Sequence, residues 1–127
     1  MKRTAFLVPV LIAVVALAAP SATHFAVVKS TPTANQSMAA SPKRIQMWFS
    51  QSPAEGVSQL KLLAADKADI VVGKTVVDKA TKSMYADIAD PLKAGAYVVS
   101  WRAAGDDGHV QTGEIKFKVA PKAGAPF

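Results

Sequence analysis

The sequence predicts an all-β fold, a small sandwich or barrel, on three observations. Apolar and polar residues alternate in two places: Ile45, Met47 and Phe49 against Arg44, Gln46 and Trp48, and Ile115, Phe117 and Val119 against Glu114, Lys116 and Lys118. A period of two is the signature of a strand with one buried face. Turn-forming residues recur about every ten positions, the spacing of short strands in a sandwich or barrel. Only residues 58–67 have helix-like composition, and that stretch is short. There is no internal repeat and no long low-complexity segment.

In chain order, the first strand is expected over 24–29. Ser30-Thr31-Pro32 ends it, because proline has no N–H to donate to a ladder. Residues 33–42 read as a polar loop. The second strand covers 44–50, and Ser52-Pro53-Ala54-Glu55-Gly56 turns the chain. A third strand follows over 57–63 with Leu60 and Leu62 inward. After a turn at 66–69, the β-branched residues of 70–77 flank Gly73. They form one bent strand or two short ones, with a bulge at the glycine. Met84, Ala86 and Ile88 are the inward set of the strand over 84–88.

Asp90-Pro91-Leu92-Lys93-Ala94-Gly95 is the clearest turn. The strand over 96–102 turns Tyr97, Val99 and Trp101 to one face, and the last strand runs over about 110–119. Leu92, Gly95 and Tyr97 have the spacing that opens a late strand of immunoglobulin-like sandwiches, where the tyrosine hydroxyl bonds back to upstream backbone. The expected core is Ile45, Met47, Phe49, Leu60, Leu62, Met84, Ile88, Tyr97, Val99, Trp101, Ile115, Phe117 and Val119.

Residues 1–23 read as a secretory signal peptide. Lys2 and Arg3 give the basic start, an uncharged apolar run covers 5–19, and small residues occupy 20–23. The alternative, a retained anchor, is disfavoured because the run is shorter than the roughly 20 residues of a membrane span. Removing this segment and its two cations lowers the formal net charge from +6 to +4. What remains, a domain over 24–120 and a tail over 121–127, suffices for one core. Its lysines are scattered rather than clustered, so the sequence carries no nucleic-acid signature. It has no cysteine and must hold together by packing alone.

That absence also restricts metal chemistry. The chain has two histidines, His24 and His109. If cleavage falls after Thr23, His24 gains a free α-amine, and amine and imidazole can close a chelate ring on one ion. Cleavage after Ala19 or Ser21 would leave His24 internal. Near the other end, Asp107 and His109 flank Gly108, whose freedom to take positive φ lets both side chains reach one spot. Asp-Gly is equally a common turn dipeptide. First and last strands lying side by side and parallel would bring their starting ends together, and with them His24, Asp107 and His109. One amine, two imidazoles and one carboxylate make a tetragonal N/O set without sulfur, which suits Cu(II).

Taken together, the chain resembles the CopC-type periplasmic copper-binding proteins. The resemblance rests on His24 with Val27-Val28-Lys29-Ser30-Thr31-Pro32, on Pro42-Lys43-Arg44-Ile45 and Phe49-Ser50, and on Pro91-Leu92 with Gly95, Tyr97 and Val98. It continues through Val99-Ser100-Trp101-Arg102-Ala103, Asp107-Gly108-His109 and Gly113. It implies an immunoglobulin-like Greek-key β-sandwich of about seven strands. It also implies Cu(II) held by His24, Asp107 and His109. The implied role is a non-catalytic, monomeric copper carrier or buffer in copper resistance or homeostasis. Such a carrier passes copper ion to an inner-membrane transporter of the CopD type or another copper-handling protein.

Some members carry a methionine-rich Cu(I) loop, but here 63–73 contains no methionine. Met38, Met47 and Met84 are therefore expected in loop or core. Position 26, where some members have a further histidine, is alanine. Two other function classes compete: a copper-dependent oxidative enzyme using a histidine chelate, and an interaction sandwich without metal. Against the enzyme, Asp107 would occupy the position oxygen needs, and only Trp48 and Tyr85 among the larger aromatics alternate outward.

Overall fold

The computed structural model describes residues 4–5 and 24–121. Most of the expected signal peptide and most of the expected tail lie outside the described residues. Nine strands are present among the described residues: β1 (Val27–Thr31), β2 (Gln36–Met38), β3 (Arg44–Phe49), β4 (Gln59–Ala64), β5 (Asp69–Ile70), β6 (Val76–Asp78), β7 (Ser83–Asp87), β8 (Gly95–Ala104) and β9 (Val110–Val119). They form two sheets, in the orders β1-β3-β7-β6 and β2-β9-β8-β4-β5. Strands adjacent in sequence are repeatedly split between the sheets, the arrangement of an immunoglobulin-like sandwich.

The alternation seen in the sequence is the alternation of burial. β3 reads exposed or half-buried at Arg44, Gln46 and Trp48 and buried at Ile45, Met47 and Phe49. β9 does the same from Glu114 to Val119. Each side chain of leucine or phenylalanine size withdrawn from water contributes about 1.5–3 kcal/mol, so this pattern pins both sheets face to face. Every expected core residue is buried except Trp101, which is half-buried against the core. Its antiparallel partner on β9 is Gly113. The indole lies over that glycine, with Nε1 only 2.7 Å from where a Cβ would stand. Its edge meets Phe49 at 5.8 Å. Phe25 and Ala103 join the core beyond the expected set. Met47 and Met84 are fully buried, so their thioethers face hydrocarbon.

The turn at 90–95 ends in the expected corner. The Tyr97 hydroxyl donates to the Lys93 carbonyl at 2.6 Å while its ring stacks near Phe117.

Three expectations need correction. The stretch 33–42 is not all loop: β2 runs parallel to the end of β9, with Gln36 opposite Phe117 and Met38 opposite Val119. The Asn35 amide donates to the Lys116 carbonyl, and the Ala120 amide to that of Met38. These are backbone bonds, which leave no mark on a polar three-residue sequence. Second, β1 does not lie beside β9. It pairs antiparallel with β3 in the opposite sheet, and the chain changes sheets through the buried Pro32. The parallel partnership with the last strand exists, but β2 supplies it. Third, there is no bulge at Gly73. Of the two alternatives for 70–77, two short strands is the one found, and they belong to different sheets. Gly73 lies in the crossover between them, its amide bonded to the Asp87 carbonyl at 2.8 Å.

Candidate metal centre

β8 and β9 are joined by residues 105–109. The Gly108 amide donates to the Gly105 carbonyl at 3.1 Å and closes a tight turn, with Gly108 at φ 73°. That conformation costs glycine little and other residues more. The turn folds Asp107 back onto His109. Oδ1 accepts the His109 amide at 3.1 Å, and Oδ2 lies 3.1 Å from Nδ1 of its ring. A carboxylate can only accept, so in this pairing Nδ1 carries the proton and Nε2 keeps the lone pair a metal needs. Chiefly because it receives the backbone amide of His109, the Asp107 carboxyl sits below its ordinary pKa. Both side chains are open to solvent, at 86% exposure for His109 and 49% for Asp107.

His24 stands at the same end, held along β3 of its own sheet and tied to β9 of the other by a side chain. Phe25 is buried and stacks on Phe49 with centroids 4.6 Å apart. The Ser50 hydroxyl donates to the His24 carbonyl at 2.9 Å and accepts the Ala26 amide at 3.0 Å. Gln111, two residues past His109, donates its side-chain amide to the Phe25 carbonyl at 2.8 Å. From the other direction, Gln51 Oε1 accepts the Asp106 amide at 3.2 Å.

Of the three expected donor residues, two are thus paired directly and the third is exposed at the same end. Among the described residues, no three His, Asp or Glu side chains gather closely enough to form a metal cage. In this sequence the His24 nitrogen is a peptide nitrogen joined to Thr23, not an amine. Sequence reasoning missed the supporting residues Phe25, Ser50, Gln51, Gly105 and Gln111. One signal was present: Gln111 has the strand parity of Ile115, Phe117 and Val119, which directs its side chain to the face that meets the other sheet, although the residue itself is exposed.

Comparison with known proteins follows the same lines as this geometry. A family model described as the CopC domain matches residues 27–120. This chain belongs to the CopC family. It is 34% identical over 125 residues to copper resistance protein C of Pseudomonas syringae pv. tomato, covering 94% of this chain and 98% of that protein. The crystal structure of CopC from Methylosinus trichosporium OB3b superposes with a TM-score of 0.72 at 26% identity, over 82% of this chain and 99% of that one. PcoC, a methionine-rich copper resistance protein from Escherichia coli, gives a TM-score of 0.67 at 33% identity, over 76% and 98%. CopC membership places the chain among copper-resistance proteins and not among enzymes. The outward rings fit that assignment: Lys29 Nζ lies 4.4 Å over Trp48, and the Arg44 guanidinium 3.8 Å over Tyr85. The two aromatics are therefore overlaid by cations rather than presented as a bare platform.

Proposed function

We propose that this protein is exported to the periplasm and carries or buffers Cu(II) there, through His24, Asp107 and His109. One observation carries the reading: the Asp107–His109 pair presents an oriented, solvent-open imidazole at the same end of the sandwich as His24. Each donor has its own part. His109 offers Nε2. Asp107 orients that ring in the metal-free protein, and its carboxylate turns from Nδ1 to the ion on binding, where its anionic oxygen offsets the ion's charge. Once the leader is removed, His24 adds an imidazole and an amine. Among the described residues no thiolate or exposed thioether competes, since there is no cysteine, Met47 and Met84 are buried, and Met38 is half-buried against the core. A nitrogen- and oxygen-rich set of this kind favours Cu(II) over Cu(I). The exposure of the site suits a carrier that must surrender its ion to a docked partner, and an inner-membrane copper transporter of the CopD type fits that role.

The test compares Cu(II) binding by the precursor and by the exported protein, with intact mass reporting the N-terminus. The expected result is tighter binding once His24 is the first residue. Equal affinities would remove the amine from the ligand set and overturn this mechanism.

A further inference from the structure

The copper reading places donors on two opposite sheets, and nothing in strand pairing holds them together. His24 precedes β1 of the four-stranded sheet, whereas Asp107 and His109 lie between β8 and β9 of the five-stranded sheet. The register of β1 against β3 also shifts between Val27 and Lys29, so the ladder is irregular just where the chain approaches the site. Some other device must fix His24 against the 105–109 loop.

We propose that Ser50, Gln111 and Gly105 are positioning residues that set the His24 main chain against the Asp107–His109 loop before any metal arrives. The inference rests on the copper reading of that site. Ser50 uses its hydroxyl in both directions, donating to the carbonyl of His24 and accepting from the amide of Ala26. Its own amide donates to the Ala26 carbonyl at 2.9 Å. These bonds leave residues 24–26 little freedom to rotate. Gln111 reaches across from β9 to the Phe25 carbonyl, and so ties the segment bearing His24 to the strand that begins beside His109.

Gly105 sets the spacing. A Cβ there would stand 2.8 Å from Phe25 Cβ and 2.8 Å from Gln51 Oε1. The obstruction on the Phe25 side is next to the backbone, so it cannot swing clear as a long side-chain end would. The loop and the His24 segment approach this closely only because position 105 has no side chain. Donors arranged in advance do not have to be ordered by the ion, and that is where a positioning residue gains affinity. The cost of losing such support around a metal ligand is typically 10–100-fold in affinity.

The experiment uses the exported protein and Cu(II) itself, with affinity measured by competition against a chelating dye. Gln111→Leu and Ser50→Ala are each made in the wild-type and His24→Ala backgrounds. Ser50→Thr serves as the conservative rescue and Ser37→Ala, on β2, as a remote control. Each positioning variant should weaken binding by about tenfold when His24 is present and change nothing further when His24 is alanine. Ser50→Thr, which keeps the hydroxyl, should bind like wild type. In the copper-free protein, Ser50→Ala should speed hydrogen exchange at the Ala26 amide.

Equal losses with and without His24 would mean a general structural effect and would overturn the proposal. So would a large loss in His24→Ala accompanied by none in Gln111→Leu or Ser50→Ala, with the copper reading left standing. Wild-type affinity in His24→Ala would overturn both. Circular dichroism checks folding, and if Ser50→Ala fails to fold, Gln111→Leu and Ser50→Thr still decide the question.

Discussion

The two ends of β8 contrast sharply. At its start, Tyr97 is buried and spends its hydroxyl on the Lys93 carbonyl, in a part-buried bond that closes the corner. Beyond its end, Asp107 and His109 also bond to each other but stay open to water. Both are local contacts, over four residues and two. Their difference lies in what remains for a ligand. Tyr97 is held by its ring against Phe117 and has no free face, whereas His109 is oriented by Asp107 and keeps Nε2 available. One end uses polar chemistry to close the sandwich, and the other keeps it accessible.

That contrast predicts that stability and copper binding separate along the same strand. The largest effect should come from Phe117→Ala, in the core beside Tyr97. It should cost about 3–5 kcal/mol in urea denaturation, while the folded fraction keeps its Cu(II) affinity. A matching loss of affinity would show that the two ends are coupled. His109→Ala should do the reverse. Dye competition should show an affinity loss of at least about 100-fold, with stability changed by no more than about 0.5 kcal/mol, as for an exposed position. Asp107→Asn should cost less, on the order of tenfold, since the amide keeps a carbonyl oxygen; a loss exceeding that of His109→Ala would reverse the roles assigned here.

Tyr97→Phe should cost about 1 kcal/mol in thermal or urea melts, because the Lys93 carbonyl loses its donor, and should leave copper binding untouched.

The smallest effect concerns pH. The Asp107 carboxyl is depressed in the folded state, first by the His109 amide. Its contribution to stability is therefore present above the unfolded carboxyl value and lost as pH falls through the lower folded one. The group is exposed, so this part of the acid transition should be slight. An NMR titration should find its midpoint below about 3.9. The depression should largely persist in His109→Ala, because its main cause is backbone. A normal midpoint in that variant would assign the effect to the ring instead. Copper affinity should decline over a higher range, where protons compete for the imidazoles and the amine.

Much of this was legible because it depends on near neighbours in sequence. The parity of Ile45, Met47 and Phe49 and of Ile115, Phe117 and Val119 is a backbone consequence, as every second side chain of a strand must face the same way. Tyr97 was readable from Leu92 and Gly95, and the Asp107–His109 pair from the intervening glycine. Trp101 was placed on the correct face but is only half-buried. Its exposure depends on Gly113, a partner twelve residues away on another strand. β2 was invisible because backbone bonds alone place it, and those make no demand on Gln36 or Ser37.

By itself, then, the amino-acid order determined most of the strands, their inward faces and the corner at Tyr97, and it limited the imidazoles to His24 and His109. Composition and period suffice for these, since they follow from geometry within a few residues. Only the tertiary structure decided how His24 reaches the other end of the chain. The sequence suggested a parallel edge, with the first strand beside the last. The fold instead docks the His24 segment along β3 of its own sheet, through Phe25 on Phe49 and Ser50 on the His24 carbonyl, and crosses the sandwich through Gln111 on the Phe25 carbonyl. Those bonds join residues 24, 26 and 86 positions apart to main-chain groups or rings that every residue or many residues carry. No local pattern encodes such a partnership, because its geometry exists only once the two sheets have packed.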